Sequence, residues 1–100
     1  GIPLVFVRDN AAIGSPCLWG LWVNDALVAR LAIGEQLEVR VRAGDVRVST
    51  TRDPQGQGMC SGFLGKQQVD RVVTAEPGAK KVYRMYMLAS GGMDIVRGEN

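Results

Sequence analysis

The chain contains no histidine. That removes the commonest general base, the usual partner of an activated nucleophile and the commonest metal ligand. Ser–His–Asp and Cys–His devices are therefore excluded. A zinc site would have to combine Cys17 and Cys60 with carboxylates, at a spacing that fits no ribbon or finger. Asp9, Asp25, Asp45, Asp53, Asp70 and Asp94 read as lying in or beside turns, where an aspartate bonds its own backbone. Glycosidase chemistry would need two carboxylates facing one another, and nothing in the spacing brings a pair together. Gly56-Gln57-Gly58-Met59-Cys60-Ser61-Gly62 misses the dinucleotide fingerprint because its last glycine comes one residue late. Gly65-Lys66 is followed by Gln67 and lacks the upstream glycine of a phosphate loop. Both are read as loop composition, and neither a cofactor nor an enzymatic activity is expected.

The two cysteines are the other reactive groups. Paired, Cys17 and Cys60 close a loop of about 44 residues, worth about 4 kcal/mol in the chain-entropy picture. The alternative is two buried thiols in a reducing compartment. We read a disulfide, because each cysteine adjoins loop-forming residues, Gly14-Ser15-Pro16 and Gly56-Gln57-Gly58. A bridge places the protein outside the reducing cytoplasm.

Binding chemistry is offered by arginine and tryptophan. Arg40, Arg42 and Arg47 are expected on the outward face of one hairpin, as an anion-reading patch or as a solvated sheet face relieved by Glu35 and Glu38. Trp19 and Trp22 have opposite parity on one strand, so one should face the core and the other outward. An outward tryptophan would anchor a protein partner or stack on a sugar. Tyr83, Met85 and Met87 share a face, read as core.

The elements that must position these residues are strands. Period-two alternation and β-branched residues dominate, with no repeat and no convincing helical period. Strands are expected over 2–7, 18–23, 26–31, 37–41, 46–51, 69–75 and 81–89, with a short edge strand at 93–96. Arg8-Asp9-Asn10 is expected to end the first of them. Asn24-Asp25 suits a two-residue hairpin loop, and Glu76-Pro77-Gly78-Ala79 a type II turn. Gly44-Asp45 is expected to close a hairpin in which Val41 faces Val48 and Arg42 faces Arg47. Residues 52–62 read as a long loop, and 10–16 and 61–68 could hold a helical turn at most. One hundred residues, 46% apolar, make one domain spanning 1–100. Seven to eight short strands predict an antiparallel β-sandwich, Ig-like or transthyretin-like, with one disulfide.

From Trp22 to Thr51 the order is strand, Asn-Asp turn, strand, glycine, alternating strand, Ala-Gly-Asp turn, strand. This resembles the DUF2846 family and the related PEGA-type modules of bacterial envelope proteins, which carry a "V-(N/D)-G" and a "P-G-x-h-x-h" turn. Here Asp25 stands for the first glycine and Ala43 for the proline. The opening Leu4-Val5-Phe6-Val7-Arg8-Asp9 resembles the family's first strand. The resemblance implies a secreted or lipid-anchored envelope protein and brings no catalytic residues.

The expected function is therefore a non-enzymatic structural or protein-binding module of the cell envelope, periplasmic, outer-membrane-anchored or secreted. The alternatives are a small inhibitor or immunity protein that plugs a toxin or hydrolase through residues 52–62, and a carbohydrate-binding module. A net charge of +2 is too small for a typical nucleic-acid binder. Contact with a membrane is expected only through a lipid anchor upstream of Gly1-Ile2-Pro3, a start that reads as a cut from a precursor or a tag. A homodimer could form by pairing of free strand edges.

Overall fold

The computed structural model describes residues 1–9, 17–60, 68–90 and 92–98. They form β1 (Ile2–Arg8), β2 (Trp19–Val23), β3 (Ala26–Leu31), β4 (Gln36–Val41), β5 (Gly44–Arg52), β6 (Gln68–Ala75), β7 (Lys81–Met87) and β8 (Met93–Arg97), with one 3-10 turn at Gly58–Cys60. Two four-stranded sheets, β4-β1-β7-β8 and β3-β2-β5-β6, pack face to face as the expected all-β sandwich. Every strand pair is antiparallel except β1 with β7, which is parallel. Of the segments expected to hold a helical turn at most, 10–16 and 61–68, residues 10–16 and 61–67 lie outside the described residues, and Gln68 begins β6.

Local chemistry sets the corners. Asn24 and Asp25 both take positive φ (47° and 67°), as a type I′ loop between β2 and β3 requires. Gly78 at φ 81° and the bond from Ala79 N–H to the Glu76 carbonyl (3.1 Å) form the turn predicted at Pro77-Gly78.

The expected hairpin at Gly44-Asp45 is not there. β4 pairs with β1, and β5 pairs with β2 and β6, so the chain changes sheet between them. Gly44, at φ 115°, starts β5 just after that crossing. Val41 therefore does not face Val48, and Arg42 does not face Arg47. Both arrangements send Val39, Val41, Val46 and Val48 toward one core, so alternation alone could not separate them.

The core collects Leu4 and Phe6, Trp19, Leu21 and Val23, Val46 and Val48, and Tyr83 and Met85, with further contributions from β6 and β8. Burying each large apolar side chain stabilises the fold by about 1.5–3 kcal/mol. Phe6 and Tyr83, neighbours across the parallel pair, stack at 5.7 Å between ring centroids. The Tyr83-Met85 face is core, as read from the sequence. β1 runs through the middle of its sheet, and even Val5, on its outer side, is buried. Arg71 of β6 bonds Asp94 of β8 (2.6 Å) and ties the two sheets along that flank.

Candidate functional site

The sandwich has two outer faces, and one of them belongs to β3-β2-β5-β6. Register places Trp22, Ser49 and Asp70 in one row across β2, β5 and β6. Gly20, Thr51 and Gln68 make the next row. Above them the β2–β3 loop contributes Asp25. Trp22, Asp25, Ser49, Thr51 and Gln68 line a shallow cleft of about 230 Å³.

Each lining group is held. The Trp22 indole Nε1–H donates to the Thr51 hydroxyl (3.0 Å), which itself donates to the Arg52 carbonyl (2.8 Å). The ring lies back over Gly20, where a Cβ would stand 3.2 Å from Nε1 and 2.8 Å from Thr51 Oγ1. Only a glycine leaves room for that bond. Ser49 Oγ–H and Gln68 Nε2–H both donate to Asp70 Oδ1, at 2.5 and 3.0 Å. The Ser49 hydroxyl first, and the Gln68 amide after it, hold the Asp70 carboxyl below the usual carboxylate range. Asp25 is paired with Arg47, whose guanidinium is pushed up by that hydrogen bond and charge.

Ser49 donates its one hydroxyl hydrogen bond to Asp70 and Thr51 donates its own to a carbonyl, while the carboxylates of Asp25 and Asp70 have only acceptors to offer. The cleft thus presents an indole and mainly hydrogen-bond acceptors. It suits a small group that donates hydrogen bonds and has an apolar face for the ring.

The two tryptophans divide as their parity requires. Trp19 is buried in the core, with the Arg8 guanidinium 4.2 Å from its ring centroid. Trp22 is half-buried and faces outward. Arg8 was expected to mark the end of β1. It is instead the last residue of that strand and is buried, donating to the carbonyls of Cys17 (2.7 Å) and Leu31 (2.8 Å). Burial lowers its pKa, and the charge of Glu35 opposes that shift. A cation stacked on an aromatic face and bonded to carbonyls can be buried because its alkyl stem and its protons are both accommodated.

The arginine patch is not assembled. Arg40 lies on β4 beside Glu38 (3.3 Å), in one sheet, whereas Arg47 lies on β5 in the other. Arg42 sits at the crossing between them, exposed. Asp70 and Asp94, read as turn aspartates, are inside strands.

Cys17 and Cys60 form the disulfide, with Cα atoms 5.3 Å apart. It joins the approach to β2 to the end of the 3-10 turn. The 53–60 segment is fastened a second time by Asp53, whose carboxylate takes both arms of the Arg30 guanidinium at 2.7 Å. The Arg30 hydrogen bonds hold the Asp53 carboxyl below its ordinary range. Among the described residues no group of three or more Cys, Asp or Glu is placed to hold a metal ion.

Sequence reasoning found Trp22 and missed Ser49, Thr51, Gln68 and Asp25 as its neighbours. The signal present was the shared parity of Arg47, Ser49 and Thr51, but it needs the β2–β5 pairing to become a site. No family model matches this chain, nor does any curated protein or solved structure.

Proposed function

We propose that this domain is a non-enzymatic binding module of the bacterial envelope or the secreted space, and that the Trp22 cleft is where it takes its ligand. The observation that carries the reading is the group of Ser49, Thr51 and Gln68, from two adjacent rows, beside an outward indole, each fixed by a hydrogen bond. Pre-positioned polar groups around an aromatic are the usual make-up of a recognition site. At about 230 Å³ the cleft holds one small group, such as a side chain or a sugar ring, displayed on a larger partner. The disulfide supports an oxidising compartment. The resemblance of the turn motifs to envelope modules supports the same placement.

Within this reading the leading partner is a protein. The acceptor-rich lining favours a second possibility, a carbohydrate, because ring hydroxyls donate and ring C–H faces stack on indole. The inhibitor reading draws less support, since the 53–60 segment is tied at Asp53 and Cys60 instead of standing free.

The test is isotope-shift mapping of the labelled domain against a panel of monosaccharides and against peptides from envelope proteins. Binding should move the Trp22 indole and the amides of Ser49, Thr51 and Gln68, and Trp22→Ala should abolish it. Shifts confined to the other sheet, or binding that survives Trp22→Ala, would remove the cleft from the account.

A further inference from the structure

We propose that two copies of this chain pair edge to edge through β4, joining their β4-β1-β7-β8 sheets into one continuous sheet. The inference is independent of the Trp22 cleft, which lies on the other sheet.

Each sheet has two edge strands, and three of the four carry a device that hinders further pairing, an edge backbone group occupied by a side chain on two of them and a bulge on the third. On β6, Lys81 Nζ donates to the Thr74 carbonyl (2.7 Å) and Arg71 to the Asp70 carbonyl (2.9 Å). On β8, the Asp94 carboxylate accepts from the Ile95 N–H (2.8 Å). On β3, the ladder to β2 is shifted between Leu21 and Trp22, a bulge that breaks the regularity of that edge. Such devices protect edges from further pairing. Among the described residues no side chain bonds a backbone group of β4.

The phase of the free groups is fixed. Pro3 faces Arg40 and has no N–H to give, while Arg8 N–H donates to the Glu35 carbonyl (2.9 Å). The ladder to β1 therefore uses Leu37, Val39 and Val41, and the N–H and C=O groups of Gln36, Glu38 and Arg40 point away from it. A two-fold axis in line with those groups can pass through Leu37, Glu38, Val39 or Arg40, and through Leu37 it sets Gln36 against Glu38 twice with no ion pair. Through Glu38 or Arg40 it sets that residue against its own copy. Through Val39 it sets Glu38 against Arg40 twice, Gln36 against Arg42 twice, and Leu37 against Val41. Like charges directly opposite are destabilising and opposite charges favourable; the axis through Arg40 also sets Glu38 against Arg42 but keeps a like pair, so the register through Val39, which has opposite charges and no like pair, is selected. On the inner side, the half-buried Leu37 and Val39 would be covered. The contact is isologous and closes on itself as a dimer.

Sedimentation equilibrium of the intact domain tests this, with amide exchange as a second readout. Dimer is expected, with the amides of Glu38 and Arg40 slowed at concentrations where it forms. Arg40→Glu places glutamate against glutamate at both contacts and should weaken association by about tenfold or more. The double variant Glu38→Arg/Arg40→Glu restores opposite charges and should recover it. Both side chains are on the surface, so far-ultraviolet dichroism should be unchanged. A protein that stays monomeric to about 1 mM overturns the proposal. So does association indifferent to Arg40→Glu, failure of the double variant to recover, or slowed amides on β3, β6 or β8 instead.

Discussion

β2 carries two tryptophans three residues apart whose surroundings are opposites. Trp19 is enclosed by the core and lies under the guanidinium of Arg8. Trp22 spends its single N–H on Thr51 and keeps part of its ring toward solvent. On the inner side, the neighbours close over the ring and make the residue part of what holds the sheets together. On the outer side, Gly20 leaves room for the ring and the Thr51 hydroxyl bonds it without covering it. The same residue type therefore acts as ballast on one face and as a presented surface on the other.

The sharpest way to break the comparison is truncation of each ring. Trp19→Ala should destabilise the domain by about 5 kcal/mol, the upper end for a large core side chain, because the buried Arg8 guanidinium loses its aromatic cover as well. Trp22→Ala removes one partly exposed hydrogen bond and should cost about 1 kcal/mol, while ending ligand binding. Urea unfolding followed by circular dichroism measures both. Comparable losses in the two variants would show that Trp22 is structural and that the distinction between the faces is false.

The disulfide belongs to the inner side of this division. Cys17 and Cys60 border a small space with Trp19, Arg52, Met87 and Met93, away from the cleft. Cys17→Ser/Cys60→Ser should lower stability by about 4 kcal/mol, from the loop it frees in the unfolded chain. Below its reduced melting point the variant should retain the wild-type response at Trp22. Loss of binding in protein that is still folded would mean that the staple shapes the cleft directly.

Gly20 is where the two faces meet, since its backbone carries Thr50 on one side and room for Trp22 on the other. Thr50 Oγ1–H donates to the Gly20 carbonyl (2.9 Å) within the core. A methyl at Gly20 would press Thr51 Oγ1 from 2.8 Å and Pro54 Cδ from 3.0 Å. Gly20→Ala should therefore cost about 1–3 kcal/mol and weaken ligand binding together. An unchanged indole N–H resonance in that variant would contradict the placement of the ring.

What the sequence disclosed follows the range of the forces involved. Asn24-Asp25 and Pro77-Gly78 announce their turns because positive φ and a fixed proline φ act within four residues. The split of Trp19 from Trp22 is legible because side-chain alternation is a property of one strand. The partners of β4 and β5 were not legible. A hairpin and a sheet-changing corner impose the same alternation on Leu37–Val41 and Val46–Val48. That error alone produced the arginine patch, since Arg42 and Arg47 meet only if those strands pair. The cleft was hidden for a related reason. Ser49 and Gln68 come to Trp22 through two ladders with loops between, and Asp70 looked like a turn residue because nothing local marks a strand aspartate that bonds a hydroxyl on the next strand.

The smallest effect expected is also the one that speaks most directly to the outer face. Asp70 holds Ser49 and Gln68, and its carboxyl sits below the ordinary value of about 3.9. A depressed carboxyl contributes stability that is fully present above the unfolded value and is lost as pH falls through the folded one. Because Asp70 lies on the surface, the change in unfolding midpoint should be slight. Ligand binding should respond more, since protonation releases the two donors that position the cleft. Affinity should accordingly stay flat from neutral pH down to about 5 and fall only on further acidification. Asp70→Asn should bind weakly at neutral pH and lose that acid limb, whereas an affinity that already declines between pH 7 and 5 would point to some group other than Asp70.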